Sequence, residues 1–91
     1  MTRERQIEIL MMDRCTRSEA EKHLKRGSTV FEDFEENFDL YMDEWESSCI
    51  DEEEYTQMVN SYKKMIETGE PVTDWGVVKE NGKTYYIQYV L

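Results

Sequence analysis

Apolar and polar residues alternate with two different periods along this chain. Through most of residues 1–70 the apolar residues recur every three or four positions, which is typical of amphipathic helices. Residues 75–90 instead carry β-branched and aromatic residues on both sides of Asn81-Gly82, the dipeptide most typical of a two-residue hairpin turn. The pattern predicts an α+β fold in which about four helices pack against a C-terminal antiparallel β-hairpin.

Capping residues indicate where the first two helices begin and end. Thr2 can cap a helix that runs to about Arg14. The residues expected on its apolar face are Ile7, Leu10 and Met11. A short second helix can begin with either of two capping boxes, Thr16 with Glu19 or Ser18 with Glu21, and Gly27 is expected to end it.

Two further helices are predicted between Ser28 and Gly69. Ser28 or Thr29 is expected to open the third helix, and residues 47–50 to break it. Its core-facing stripe is Phe31, Phe34, Phe38, Tyr41, Met42 and Trp45. Asp51 can cap the fourth helix, which Gly69 and the proline after it should end. The residues expected to face inward are Tyr55, Met58, Val59, Tyr62 and Ile66.

The Asn81-Gly82 turn determines how the two hairpin strands align. A two-residue turn places the flanking residues opposite one another. The expected pairs are Glu80 with Lys83, Val78 with Tyr85, Gly76 with Ile87 and Val77 with Tyr86. Both faces of this hairpin are partly apolar, so we expect one face to pack on the helices and the other to be covered or to meet a partner.

The acidity of the chain is concentrated in its middle. The chain as a whole carries a net charge of −10, and we expect it to form one domain over residues 1–91. Residues 1–27 form a basic helical segment of net charge +2, residues 28–70 form acidic helices of net charge −12, and residues 71–91, the hairpin, are neutral. A charge block of this size repels nucleic acid and attracts basic protein surfaces.

A continuous helix over residues 31–46 would align six carboxylates within one arc. They are Glu32, Glu35, Glu36, Asp39, Asp43 and Glu46. Like charges three or four positions apart cost about 0.2–0.5 kcal/mol per pair, and no lysine or arginine lies between Gly27 and Tyr62 to offset them. The line is therefore either a functional anionic surface, a solubilising helix face, or a surface neutralised by the basic N-terminal segment.

Other chemistry is weakly represented. Cys15, Cys49 and His23 are too scattered to predict a zinc site or a catalytic pair, so we expect no metal, no cofactor and no enzymatic activity. Asp51 to Glu54 lack the spacing of a calcium loop. No apolar run is long enough for a membrane span and no signal peptide is recognisable, which favours a cytoplasmic protein.

Two segments resemble a family of small acidic phage-encoded anti-CRISPR proteins that inhibit type II-A CRISPR nucleases as DNA mimics. The hairpin is similar to a V-x-x-N-G-x-T-Y-Y-I segment of that family, and Phe31-Glu-Asp-Phe-Glu-Glu36 resembles one of its acidic helices. The resemblance implies a phage or mobile-element protein that acts in a bacterial host cell. It also implies that the acidic helix occupies the positively charged cleft where the nuclease binds duplex DNA.

The charge pattern and the resemblance lead to the same hypothesis. We expect an inhibitor of a nucleic-acid-binding enzyme, above all of a CRISPR-associated nuclease, that mimics DNA in a basic cleft and does not itself bind nucleic acid or membranes. The central contacts are expected at Glu35, Glu36, Asp39 and Asp43, flanked by Glu32, Glu46, Glu52, Glu53 and Glu54. Tyr41 or Trp45 could add anchoring contacts to those of the carboxylates, although core packing is the more usual role of such residues.

Two other functions remain open. The chain could be an acidic interaction module, antitoxin-like or regulatory, that binds a basic host protein without mimicking DNA. It could also be a structural protein that forms a homodimer or larger oligomer, in which the basic segment of one chain meets the acidic segment of the next.

Overall fold

A computed structural model of the chain describes residues 1–48 and 51–91. Within these ranges the chain forms helices and strands in an α+β arrangement, as predicted. The elements are α1 (Arg3–Asp13), α2 (Arg17–Arg26), β1 (Thr29–Phe31), α3 (Phe38–Glu46), α4 (Glu52–Thr68), β2 (Trp75–Glu80) and β3 (Lys83–Gln88). The predicted break at residues 47–50 includes Cys49 and Ile50, which lie outside the described residues.

The predicted starts of α1, α2 and α4 are confirmed. The Thr2 hydroxyl accepts a hydrogen bond from the Arg5 backbone N–H, and the Asp51 carboxylate accepts one from the Glu54 backbone N–H. Helix α2 uses the capping box of Thr16 and Glu19, not that of Ser18 and Glu21. Gly27 and Gly69 end their helices in the left-handed conformation that glycine adopts without strain.

The predicted third helix is wrong over its first part. Residues 29–31 form a short strand, β1, that pairs antiparallel with β3, so neither Ser28 nor Thr29 opens a helix. The buried Ser28 hydroxyl instead accepts a hydrogen bond from the Val90 backbone N–H, which holds this segment against the end of the chain. Turns occupy residues 32–37, and α3 begins only at Phe38.

A single turn explains why the sequence spacing looked helical. The Asn37 backbone N–H bonds to the Asp33 carbonyl at 3.0 Å, a four-residue span that places Phe34 and Phe38 on the same side. Both rings are buried, as the apolar stripe predicted. Phe31 reaches the same cluster from β1, where it stacks on Trp75 with ring centroids 5.6 Å apart.

The hairpin register is confirmed at every predicted pair. Glu80 lies opposite Lys83, Val78 opposite Tyr85 and Val77 opposite Tyr86, with Gly76 opposite Ile87. Asn81 and Gly82 both have positive φ, which the two-residue turn requires. Strand β1 pairs with the other edge of β3, so the sheet has three strands in the order β1-β3-β2.

Helices cover both faces of this sheet. On one face α1 and α2 pack in a mostly aliphatic cluster of Ile7, Ile9, Leu10, Cys15, Ala20, Val78, Tyr85, Ile87 and Tyr89. On the other face α3 and α4 pack in a mostly aromatic cluster whose buried members are Phe34, Phe38, Met42, Met65, Trp75 and Tyr86. The second face of the hairpin is therefore covered by the same chain.

Two details of the predicted core differ from the structure. Met11 is exposed, and Ile9 is buried in its place because α1 packs against both α2 and the sheet. In α4 the predicted apolar residues Met58, Val59 and Ile66 are only half-buried, and Met65 is the fully buried residue of that helix.

Candidate interaction surface

Glu32 begins an acidic turn, residues 32–37, that is fastened to the hairpin by an ion pair. Its carboxylate accepts a hydrogen bond from the Lys83 ammonium group at 3.0 Å. This hydrogen bond and the charge of Lys83 lower the pKa of Glu32 below its ordinary value. Because both side chains remain largely in solvent, the pair contributes more to the placement of the turn than to stability.

Glu35 makes a second attachment to the sheet. The Tyr86 hydroxyl donates a hydrogen bond to the Glu35 carboxylate at 2.6 Å. Burial of the Tyr86 ring raises the pKa of its phenol, and the hydrogen bond to Glu35 and the negative charge of Glu35 raise it further. Glu32, Glu35 and Glu36 line a depression of about 230 Å³ between the acidic turn and the hairpin turn.

The predicted line of six carboxylates on one helix is wrong. Only Asp39, Asp43 and Glu46 lie on α3, whereas Glu32, Glu35 and Glu36 lie in the turns before it. The pairing of β1 with β3 and the two attachments of the turn replace the first helical turns. Only two of the like-charge pairs, Asp39 with Asp43 and Asp43 with Glu46, keep helical spacing within α3.

The acidic helix that the family resemblance implies over Phe31 to Glu36 is also absent. Phe31 ends β1, and the following residues form turns. The hairpin that carries the other part of the resemblance is present with the expected turn and register.

The start of α4 adds a third acidic segment. Glu52, Glu53 and Glu54 are exposed in its first turn, where the helix dipole favours negative charge. Glu46 at the end of α3 and Glu52 line the same surface depression, of about 460 Å³. The nine predicted contact carboxylates are thus divided among a turn, α3 and the start of α4.

The basic N-terminal segment does not neutralise these carboxylates. Arg5 pairs with Glu8 and Glu80, Arg14 with Asp13, and Arg17 with Glu4 and Glu21. Of the nine carboxylates, Glu32 forms an ion pair with Lys83 of the hairpin, not with an arginine of the N-terminal segment. Besides Glu35, which accepts the hydrogen bond from Tyr86, six of the nine are exposed and form no ion pair with any described residue: Glu36, Asp39, Asp43, Glu46, Glu52 and Glu53.

Sequence reasoning missed three exposed residues of this region. Asp33 lies in the acidic turn, and Leu40 and Glu44 lie on the outward side of α3. Asp33 and Glu44 fell outside the arc of the assumed long helix. Helical spacing places Leu40 outside the apolar stripe, and this position in the sequence could have indicated that Leu40 is exposed. Tyr41 and Trp45 are half-buried in the aromatic cluster, where the Tyr41 ring stacks on Phe34 with centroids 5.6 Å apart.

A second polar cluster lies among α1, α2 and the end of the sheet. The Tyr89 hydroxyl donates a hydrogen bond to Asp13 at 2.5 Å, and the Arg14 guanidinium lies 4.7 Å from the centre of the Tyr89 ring. The Cys15 thiol is buried 4.0 Å from the same hydroxyl, and burial raises the pKa of the thiol. The His23 ring meets Tyr89 edge-on at 5.0 Å.

The other cysteine, Cys49, lies outside the described residues. Within residues 1–48 and 51–91 no group of three or more His, Cys, Asp or Glu side chains is arranged to hold a metal ion. In the same ranges no helix combines the length and apolarity needed to cross a membrane.

Comparisons of the chain with protein-family models, curated proteins and solved structures gave no match. The function of the protein therefore has to be inferred from the geometry of its acidic surface, by which we mean the exposed carboxylates of residues 32–54.

Proposed function

We propose that this protein inhibits a nucleic-acid-binding enzyme by occupying a basic DNA-binding cleft with its acidic surface. The observation that carries the proposal is that the six exposed carboxylates named above, from Glu36 to Glu53, form no ion pair with any described residue. Arg5, Arg14 and Arg17 pair with Glu4, Glu8, Asp13, Glu21 and Glu80, and not with the carboxylates of the acidic surface.

The energetics favour an external partner for this surface. Clustered exposed carboxylates repel one another, and the repulsion is relieved when a basic surface approaches and displaces their counterions. A cleft that binds DNA supplies such a surface, because it is lined with the lysine and arginine side chains that neutralise phosphates. The division of the carboxylates among three segments favours mimicry of the overall field of DNA over a match to the spacing of its phosphates.

The family resemblance selects the first target to test. It directs the proposal to a type II-A CRISPR nuclease in a bacterial host, with the protein acting as a phage or mobile-element inhibitor. The role proposed is binding and occlusion, without catalysis and without direct contact to nucleic acid.

The test uses a charge-reversal variant of the acidic surface. Glu36→Lys, Asp39→Lys, Asp43→Lys and Glu46→Lys are combined because none of these side chains forms an ion pair with a described residue. Glu35 is kept because it holds Tyr86. The control reverses Glu67 and Glu70, exposed acids elsewhere that likewise form no ion pair with a described residue, and the double variant Asp39→Lys with Asp43→Lys matches its change in charge.

Binding to a guide-loaded type II-A nuclease and inhibition of its DNA cleavage are then measured. We expect the surface variant to lose both and the control variant to keep them, with circular dichroism showing that both are folded. Wild-type affinity should fall steeply as salt rises, and target DNA should exclude the protein from the nuclease. Unchanged inhibition by the surface variant would refute the proposal, and simultaneous binding of DNA would favour a regulatory interaction module instead.

One observation favours self-association as a second candidate. Lys22, Lys25 and Arg26 are exposed near the end of α2 and form no ion pair with any described residue. They could meet the acidic surface of another copy of the chain. Sizing by light scattering at low and high salt decides this: a monomer in both conditions excludes it, whereas an oligomer that dissociates with salt supports it.

A further inference from the structure

Leu40 is an exposed aliphatic residue within the acidic surface. Its exposed fraction is 67%, which among the large apolar residues of the described chain is exceeded only by the C-terminal Leu91 at 83%. A single exposed leucine needs no explanation by itself. Its position on α3 and the charges around it are what require one.

Leu40 points away from the core of the protein. At about 100° per residue, Phe38, Met42 and Trp45 define the side of α3 that packs in the aromatic cluster. Leu40 lies almost directly opposite that side. Its neighbours one turn along the helix are Asp43 and Glu44, both exposed, so the apolar side chain is bordered by carboxylates.

Stability and solubility both favour a lysine at this position. Lysine and leucine have similar helix propensities, so helix formation does not require leucine. A lysine at position 40 would form favourable pairs with Asp43 and Glu44, each contributing about 0.2–0.5 kcal/mol, and would reduce the repulsion along α3. Leucine forgoes these pairs and exposes an aliphatic group to water.

We infer that Leu40 is the apolar anchor with which the acidic surface binds its protein partner. The partner's site has an apolar pocket for the Leu40 side chain, bordered by arginine or lysine side chains that pair with Asp43 and Glu44. Charge complementarity commits the occupant to a basic protein surface, because nucleic acid would be repelled; contact with the basic end of α2 of a second copy is the outcome that light scattering separates. This inference rests on the proposed function and specifies the kind of cleft that the surface enters.

An apolar anchor changes how binding responds to salt. Ion pairs at an interface weaken as salt rises, whereas burial of an aliphatic side chain does not. The affinity should therefore have an electrostatic component that salt removes and a component from Leu40 that persists. A surface that acted through charge alone would lack the second component.

The test compares Leu40→Ala with Met12→Ala, an exposed apolar residue on α1 with an exposed fraction of 46%. The probe is a guide-loaded type II-A CRISPR nuclease, with affinity measured at low salt and at about 0.5 M salt. We expect Leu40→Ala to lower the affinity roughly tenfold at both salt concentrations and Met12→Ala to change it less than twofold. Leu40→Met should keep most of the affinity because it refills the pocket.

The outcomes separate this inference from the proposed function. If Leu40→Ala binds like wild type while the charge-reversal variant does not bind, the anchor is refuted and the proposed function stands. If wild type does not bind the nuclease, both are refuted. If Leu40→Ala leaves nuclease binding intact but abolishes self-association in light scattering, Leu40 contacts a second copy and the inferred partner is wrong.

Discussion

The N-terminal helices and the acidic surface hold their carboxylates in opposite ways. In α1 and α2 and the loop between them, Glu4, Glu8, Asp13 and Glu21 each contact an arginine. On the acidic surface Glu32 pairs with Lys83, whereas Glu36, Asp39, Asp43 and Glu46 form no ion pair with a described residue. The difference indicates that Arg5, Arg14 and Arg17 are engaged by acids of α1, α2 and the hairpin and do not serve the acidic surface as counter-charges.

Two tyrosines show the same difference at the level of atoms. Tyr89 donates to Asp13, which also accepts a hydrogen bond from Arg14 Nε at 2.7 Å and whose side chain is only 14% exposed. Tyr86 donates to Glu35, which is exposed and forms no ion pair with a described residue. The first bond joins groups inside the fold, whereas the second holds a surface carboxylate in position.

The largest expected loss of stability comes from Gly76→Ala, which crowds the Asp13 carboxylate where Arg14 and Tyr89 bind it. A Cβ at position 76 would lie 2.5 Å from Asp13 Oδ2, 2.8 Å from Asp13 Cγ and 3.1 Å from Tyr89 Cε2. Because Tyr89 and Arg14 both hold the Asp13 carboxylate, it cannot move without breaking hydrogen bonds. We expect the free energy of unfolding in urea to fall by about 3–4 kcal/mol.

A double-mutant cycle identifies the cause of that loss. In an Asp13→Ala background the main contact of the new methyl group is absent, so Gly76→Ala should cost much less there. Equal costs in the two backgrounds would mean that the crowding does not involve Asp13. Under the proposed function, the folded fraction of Gly76→Ala should bind the nuclease as tightly as the wild type, since the substitution lies outside the acidic surface.

Alkaline pH should destabilise both regions through the two tyrosines. Burial raises the pKa of Tyr86 and of Tyr89 above the ordinary value near 10, and the hydrogen bond that each hydroxyl donates to a carboxylate raises it further. The stability that the two tyrosines contribute is fully present below pH 10. It is lost as pH rises further, because the tyrosines ionise at a lower pH in the unfolded chain than in the folded protein. At pH 11 each tyrosine should lower the free energy of unfolding by about 1.4 kcal/mol, and replacing either with Phe should remove its share of the slope.

At neutral pH the hydroxyls of Tyr86 and Tyr89 should contribute unequally to the free energy of unfolding. Tyr89→Phe leaves the mostly buried Asp13 carboxylate without one of its donors, and we expect a loss of about 2 kcal/mol. Tyr86→Phe leaves Glu35 free to turn to water, so about 1 kcal/mol is expected. Urea unfolding of both variants measures the difference. A larger loss of stability for Tyr86→Phe would contradict the prediction that the hydrogen bond of Tyr89 contributes more.

The sequence was sufficient for the parts of the fold that local chemistry determines. Asn81-Gly82 specifies the turn, and with it the whole register of β2 and β3. The start of α2 is specified by the capping box of Thr16 with Glu19, and the end of α4 by Gly69. Both depend on hydrogen bonds between residues only a few positions apart. The α+β class followed from these local signals.

The acidic surface could not be predicted correctly because it depends on distant contacts. Strand β1 has three residues, and its pairing with β3 spans more than fifty positions of the chain. The attachments of Glu32 to Lys83 and of Glu35 to Tyr86 each span 51 positions. They hold residues 32–37 in turns, although the spacing of the apolar residues there also fits a helix. The carboxylates were therefore identified as exposed acids, but their placement on one helix was wrong.

The smallest effect is expected from Lys83→Gln, which removes the counter-charge from Glu32. Because a hydrogen bond from Lys83 and its charge lower the pKa of Glu32, the substitution should raise that pKa toward its ordinary value. A lowered pKa stabilises the folded protein above the ordinary pKa of glutamate and ceases to do so as pH falls, so the small loss of stability in Lys83→Gln should be present at neutral pH and disappear in acid. An NMR pH titration of the Glu32 carboxyl carbon measures the shift, with Lys79→Gln on the neighbouring strand as the control. An identical Glu32 pKa in the two variants would show that the pair does not form in solution, and Glu32 would then join the unpaired carboxylates of the acidic surface.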